Sequence, residues 1–153
     1  MEELAIVARG QYGLVTRAQC HEAGVADRSV DRWLARGQLE RVHPCVYRLA
    51  GAPRTWEQAV LAAVLGAGPG ALASHRTAAR LWGLIDIAPV EVSVDRPHYH
   101  RMAGVVVHRT RDPMTPSLRH GIPVSTPMRA MVDLGAVCER PVVEEALEQG
   151  LVA

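Results

Sequence analysis

Arg28, Arg32 and Arg36 recur every four residues, the spacing that stacks side chains into one ridge of a helix. A guanidinium forks onto a guanine edge or a phosphate, so such a ridge has the chemistry to read DNA. Val30, Trp33 and Leu34 fall at i, i+3 and i+4 and supply the opposite, buried side, with Ser29 beside the arginines. An arginine ridge reached by a short turn from another helix suits entry into a major groove. The same pattern also suits an ordinary helical hairpin with a solvated basic face. Arg17 precedes the ridge, and Arg41, His43 and Arg48 follow it within reach of a backbone.

The neighbouring elements are those that would position such a ridge. Thr16 and Gln19 have capping-box spacing at the start of a helix that stops at Ala23-Gly24. Asp27 is expected to cap the ridge-bearing helix, and Gly37 to end it. Two short alternating segments, 39–43 and 45–49, pivot at Pro44 and read as a wing. Residues 2–9 read as a first helix. Residues 1–52 therefore form a winged helix-turn-helix, bounded by Ala50-Gly51-Ala52-Pro53.

Residues 53–153 read as a second, small α+β domain. Thr55, Ser74 and Thr126 stand as helix caps, with Pro127 in the first turn where its missing amide costs nothing. Val90, Val92 and Val94 alternate with Glu91, Ser93 and Asp95, a half-buried strand with a polar outer face. Val105–Val107 form a second strand, and the long basic connection between the two reads as a hairpin. Met128, Met131, Val132 and Leu134 are the expected core side of the helix after Thr126, and a last helix starts at Pro141. The expected fold class is α+β: the winged module, then a short antiparallel sheet packed by helices.

Composition narrows the chemistry. All 17 basic residues are arginine, which excludes phosphate-loop NTPases, Schiff-base enzymes and the usual lysine-bearing nuclease centre. Net charge is only +1, but residues 96–129 are rich in arginine and residues 130–153 in acids. Arg96, Arg101, Arg109 and Arg111 form a second basic patch, either a solvated strand face or a second contact surface. The three cysteines, Cys20, Cys45 and Cys138, have no CxxC spacing, which favours a reducing cytoplasm. MEELAIVARG does not read as a signal peptide, and no stretch is apolar for long enough to span a membrane.

Other constellations are weaker. His98, His100 and His108 lack a partner at metal-ligand spacing, so no metal is expected. Ser74-His75 lacks an orienting third group and an oxyanion hole. Asp86, Glu91 and Asp95 lack the lysine that would complete a nuclease centre. The expectation is that no catalytic residue and no cofactor belongs to this chain.

ASHRTAARLWGL (73–84), VEVSVDR (90–96), GVVVHRTRDP (104–113) and GIPVSTPMRAMVDLGAV (121–137) follow the winged segment in fixed order. Together with RVHPCVYRL they resemble the AbiEi-type antitoxins of actinobacteria, over essentially the whole chain. The resemblance implies a DNA-binding repressor of its own promoter, and an antitoxin opposing a nucleotidyltransferase-like toxin without needing to touch it. The partners it implies are thus double-stranded DNA and, at one remove, that toxin; no membrane is involved. The alternatives are a non-catalytic interaction module and a truncated relative of a nuclease-linked protein. Many relatives continue into a restriction-endonuclease-like domain; nothing in residues 1–153 reads as one, so nothing catalytic is carried over from it. One departure stands out. The wing turn usually reads Pro-Gly, and Cys45 takes the glycine's place, which is strained if that position needs a positive φ.

Overall fold

A computed structural model describes residues 2–86, 88–95, 97 and 101–152. The fold is α+β, with two sheets. The N-terminal module runs α1 (Glu2–Arg9), β1 (Leu14–Thr16), α2 (Arg17–Glu22), α3 (Asp27–Ala35), β2 (Leu39–His43) and β3 (Val46–Leu49). The capping box forms as its spacing predicts: Thr16 Oγ1 accepts from the Gln19 amide at 3.2 Å, and Gln19 Oε1 accepts from the Thr16 amide at 2.9 Å. Gly24 and Gly37, at φ +74° and +69°, let the chain leave α2 and α3 in the left-handed region. Asp27 does not cap α3. It is the first helical residue, Ala26 occupies the cap position without a side-chain bond, and the Asp27 carboxylate is drawn instead to Arg17 and His21.

β1 was not legible as a strand, because its apolar pair Leu14-Val15 precedes a strong helix-capping signal. It pairs antiparallel with β3, giving the order β1-β3-β2. Leu4, Ala8, Val15, Cys20, Val30, Leu39 and Tyr47 form the module's buried cluster, with Trp33 and Leu34 packed against it.

The chain continues through α4 (Trp56–Ala67), β4 (Leu72–Ala73), α5 (His75–Leu81), β5 (Val90–Val94), β6 (Val105–Arg109), β7 (Pro116–Arg119), β8 (Ile122–Ser125), α6 (Pro127–Val137) and α7 (Arg140–Val152). α4 is apolar nearly all round and lies between the two sheets. Leu14 and Val46 from the first sheet share one buried cluster with Val60, Leu61 and Val64 of α4 and with Val92, Val94, Ile122 and Val124 of the second. The buried Gln58 amide on α4 donates to the Tyr12 carbonyl at 2.6 Å and accepts from Arg48. The segment at 50–53 thus separates two sheets that pack through one helix.

The second sheet corrects three expectations. Its order is β6-β5-β4-β8-β7, and it is mixed rather than antiparallel: β5 and β6 pair parallel, as do β4 and β8. β5 and β6 are therefore not joined as a hairpin, since strands of a hairpin run antiparallel. The outward face expected for β5 is also buried: Glu91 is 0% exposed and Ser93 7%, because α5 covers what the alternation assigned to solvent. On α6 the apolar stripe is rotated. Leu134 is fully buried, but Met128 and Val132 face outward and Asp133 turns in. Thr55 and Thr126 cap α4 and α6 as expected, whereas Ser74 makes no capping bond.

Candidate nucleic-acid interface

The arginine ridge stands clear of the protein. Val30 is fully buried and pins α3 to the module's core, which turns Arg28, Arg32 and Arg36 outward; all three are exposed and make no ion pair among the described residues. Ser29 is half-buried and accepts a hydrogen bond from Arg32 at 3.4 Å. Arg41 on β2 is exposed as well, its guanidinium carbon 5.6 Å from the centre of the Tyr47 ring.

The other residues expected at this surface are already engaged. Arg17 donates Nε to the buried Tyr47 hydroxyl at 2.9 Å, and its remaining nitrogens reach Asp27 and Asp31. These bonds hold its pKa above the ordinary arginine value. Asp27, bonded to His21 and Arg17, is held below the usual carboxylate range. Arg17 thus ties α2, α3 and β3 together, and it balances the two carboxylates that flank the ridge. Arg48 lies largely buried between Glu40 and Gln58, beside the α4 junction. His43 is half-buried against α4: a Cβ built on Gly66 would stand 3.4 Å from His43 Cβ, and burial pushes the imidazole pKa down. Cys45 sits exposed at the β2–β3 turn with φ 63°, so the glycine position does need the left-handed region.

Of the second basic patch, Arg101, Arg109 and Arg111 are exposed and make no ion pair among the described residues; Arg96, like His98 and His100, lies outside them. Arg109 ends β6, an edge strand, so the patch borders the rim of the sheet.

A buried polar cluster beneath that rim was not anticipated. Arg76 grips Glu91 through Nε at 3.1 Å and through its backbone amide at 2.9 Å. Burial alone would raise the Glu91 pKa, but these bonds to Arg76 bring it below the usual carboxylate range. His75, at φ 51°, stacks on His108 with ring centres 3.6 Å apart and shares a 2.9 Å contact between Nδ1 and Ser74 Oγ. Burial and the neighbouring His108 hold the His75 pKa down. Ser93 Oγ donates to Ser74 Oγ at 2.7 Å. Asp133 Oδ2 lies 4.0 Å from His75 Nδ1, the same nitrogen that faces Ser74, so the three do not line up as a nucleophile, base and orienting acid. The signal that would have found this cluster is five polar residues, Ser74, His75, Arg76, Glu91 and Ser93, inside segments otherwise reading as core. Period-two alternation assigned Glu91 and Ser93 to solvent instead.

Among the described residues no helix is long and apolar enough to cross a membrane. No curated protein matches the chain. Residues 2–50, the module that carries the arginine ridge, match the model of a protein family described as transcriptional regulator, AbiEi antitoxin, and in that module the chain is similar to the AbiEi antitoxin regulators.

Proposed function

We propose that the chain is a DNA-binding repressor and antitoxin of the type IV kind. In this reading α2 and α3 are the helices of a winged helix-turn-helix, β2 and β3 are its wing, and α3 lies in the major groove of the protein's own promoter. The observation that carries the reading is the exposed ridge of Arg28, Arg32 and Arg36, without an ion pair among the described residues and beside acids already neutralised by Arg17. The family match over the same residues supports a regulator. Opposition to a nucleotidyltransferase-like toxin follows from that kinship alone and needs no contact between the two proteins. The chain is proposed to act by binding, with no catalytic step, in a reducing cytoplasm where Cys20, Cys45 and Cys138 stay free.

An electrophoretic shift with the protein's own promoter DNA is the test. Replacing Arg32 by alanine costs about 1–3 kcal/mol of specific binding if it reads a base. Unchanged affinity with Arg28, Arg32 and Arg36 all replaced would overturn the assignment. A second reading, a protein-interaction module, is favoured by the exposed Met128 and Val132 on α6 and Leu147 and Leu151 on α7. It gains if the chain binds no DNA at low salt.

A further inference from the structure

β4 and β8 run parallel, with Ala73 opposite Val124, and each leads into a helix, α5 and α6. A cavity of about 150 Å³ lies at that end of the pair, lined by Ser74, Ser93, Ser125, Thr126, Arg129 and Asp133 and by residues 110 and 112–115. The carboxyl end of parallel strands, where helices begin, is where open sheets hold ligands, and a helix N-terminus there favours negative charge.

Arg129 is the cationic group in the lining. Its Nε binds Asp133 at 2.8 Å and its Nη1 binds Asp112 at 3.0 Å. The two carboxylates are held very differently. The Asp133 side chain is 7% exposed and part of the wall, whereas Asp112 is 66% exposed, between β6 and β7. Ser125 is 5% exposed, yet its Oγ has no hydrogen-bond partner among the described residues. A buried hydroxyl without a partner, beside a polar cavity, points to an acceptor that belongs there.

We propose that this cavity binds a small oxyanion, the carboxylate or phosphate group of a low-molecular-weight ligand, and that Asp112 is its internal placeholder. With Asp112 in place the lining carries two carboxylates against one guanidinium and repels an anion. When Asp112 swings away, Asp133 and Arg129 balance. The Arg129 Nη1, the α6 N-terminus and the hydroxyls of Ser74, Ser125 and Thr126 then remain as donors, since Ser93 already gives its hydrogen to Ser74. A cavity of about 150 Å³ has room for a group the size of a six-membered ring, so acetate or orthophosphate fits. The proposal stands apart from DNA binding, since no residue of the arginine ridge lines the cavity.

The test is a titration of the full chain, followed by amide chemical shifts, with sodium acetate and separately with sodium phosphate at constant ionic strength. Saturable shifts confined to Ser74, Ser93, residues 110–115 and residues 125–129 are expected. A response to acetate alone identifies a planar carboxylate, and to phosphate alone a tetrahedral anion. Asp112→Asn is an exposed change that leaves the fold intact, and it should tighten binding about fivefold or more, the least expected for removing a unit charge about 4 Å away. Arg129→Gln should abolish binding. Glu3→Gln removes a charge from the other module and should change nothing. No saturable shift in Asp112→Asn, an affinity equal to or below that of the unaltered chain, or equal tightening by Glu3→Gln would each overturn the proposal.

Discussion

Replacing Arg76 by glutamine tests whether the second sheet depends on the half-buried partner of a buried carboxylate. Glu91 is 0% exposed on β5 and Arg76 sits on α5, so their bonds fasten the helix that carries Ser74 and His75 to the sheet. Removing the guanidinium leaves the buried Glu91 charge uncompensated, which costs up to about 3–5 kcal/mol. Against a total of roughly 5–15 kcal/mol for a domain, that is a large fraction. At about 2–4 °C per kcal/mol for a chain of this size, the melting temperature should fall by up to roughly 6–20 °C. The pH dependence has a definite sign. In the unaltered chain the Glu91 pKa is depressed, so its contribution is full above the ordinary carboxylate range and is lost as pH falls through the lowered value. Without the guanidinium, burial dominates and the pKa rises, so the variant's deficit should be largest near neutral pH and shrink on acidification. Thermal melts followed by circular dichroism across that range, with Arg76→Gln, Glu91→Gln and the double variant, provide the measurement. The double variant should recover most of the loss, because no unpaired charge remains. A single variant within about 1 kcal/mol of the parent, well below the cost of an unpaired buried charge, or a deficit that grows as pH falls, would refute the argument.

Four further outcomes follow from the exposed surface. Arg28, Arg32, Arg36 and Arg41 as the contact set give a log–log salt slope of about −3 to −4 per protomer; a steeper slope would mean that Arg17 and Arg48 leave their carboxylates on binding. Arg17→Ala should weaken DNA binding without removing a contact, because it uncovers Asp27 and Asp31 beside the ridge; gel shifts in which it binds as tightly as the parent would refute this. Cys45→Gly should raise stability by up to about 1 kcal/mol in urea unfolding, since relief of a left-handed non-glycine residue (about 1–2 kcal/mol) exceeds the added unfolded-state entropy, and a loss of stability would show the turn to be unstrained. Replacing Arg101, Arg109 and Arg111 by serine should leave operator affinity within about tenfold while weakening toxin neutralisation scored by growth on co-expression; the reverse pattern would make the patch an accessory phosphate contact.

The sequence by itself determined the features that depend on neighbours along the chain. Thr16 and Gln19 close a capping box because both partners lie within one helical turn, and Thr55, Thr126 and Pro127 start helices for the same local reason. The outward ridge on α3 follows from Val30, Trp33 and Leu34 occupying the opposite side. The resemblance singled out Cys45 as strained if its position needs a positive φ, and the folded turn holds it at φ 63°. Tertiary structure decided everything that depends on what packs across an element. Alternation along β5 says that two faces differ, not that one meets water, and α5 buries Glu91 and Ser93 against Arg76 and Ser74. Parallel pairing of β5 with β6 is set by neighbours in the sheet, which spacing along the chain does not encode. Arg17 and Arg48 have the same composition as the ridge arginines, but Asp27, Asp31 and Glu40 reach them only in the folded chain. An arginine's chemistry is fixed by its type; whether its charge is free to meet a partner is fixed by the carboxylates that folding brings to it.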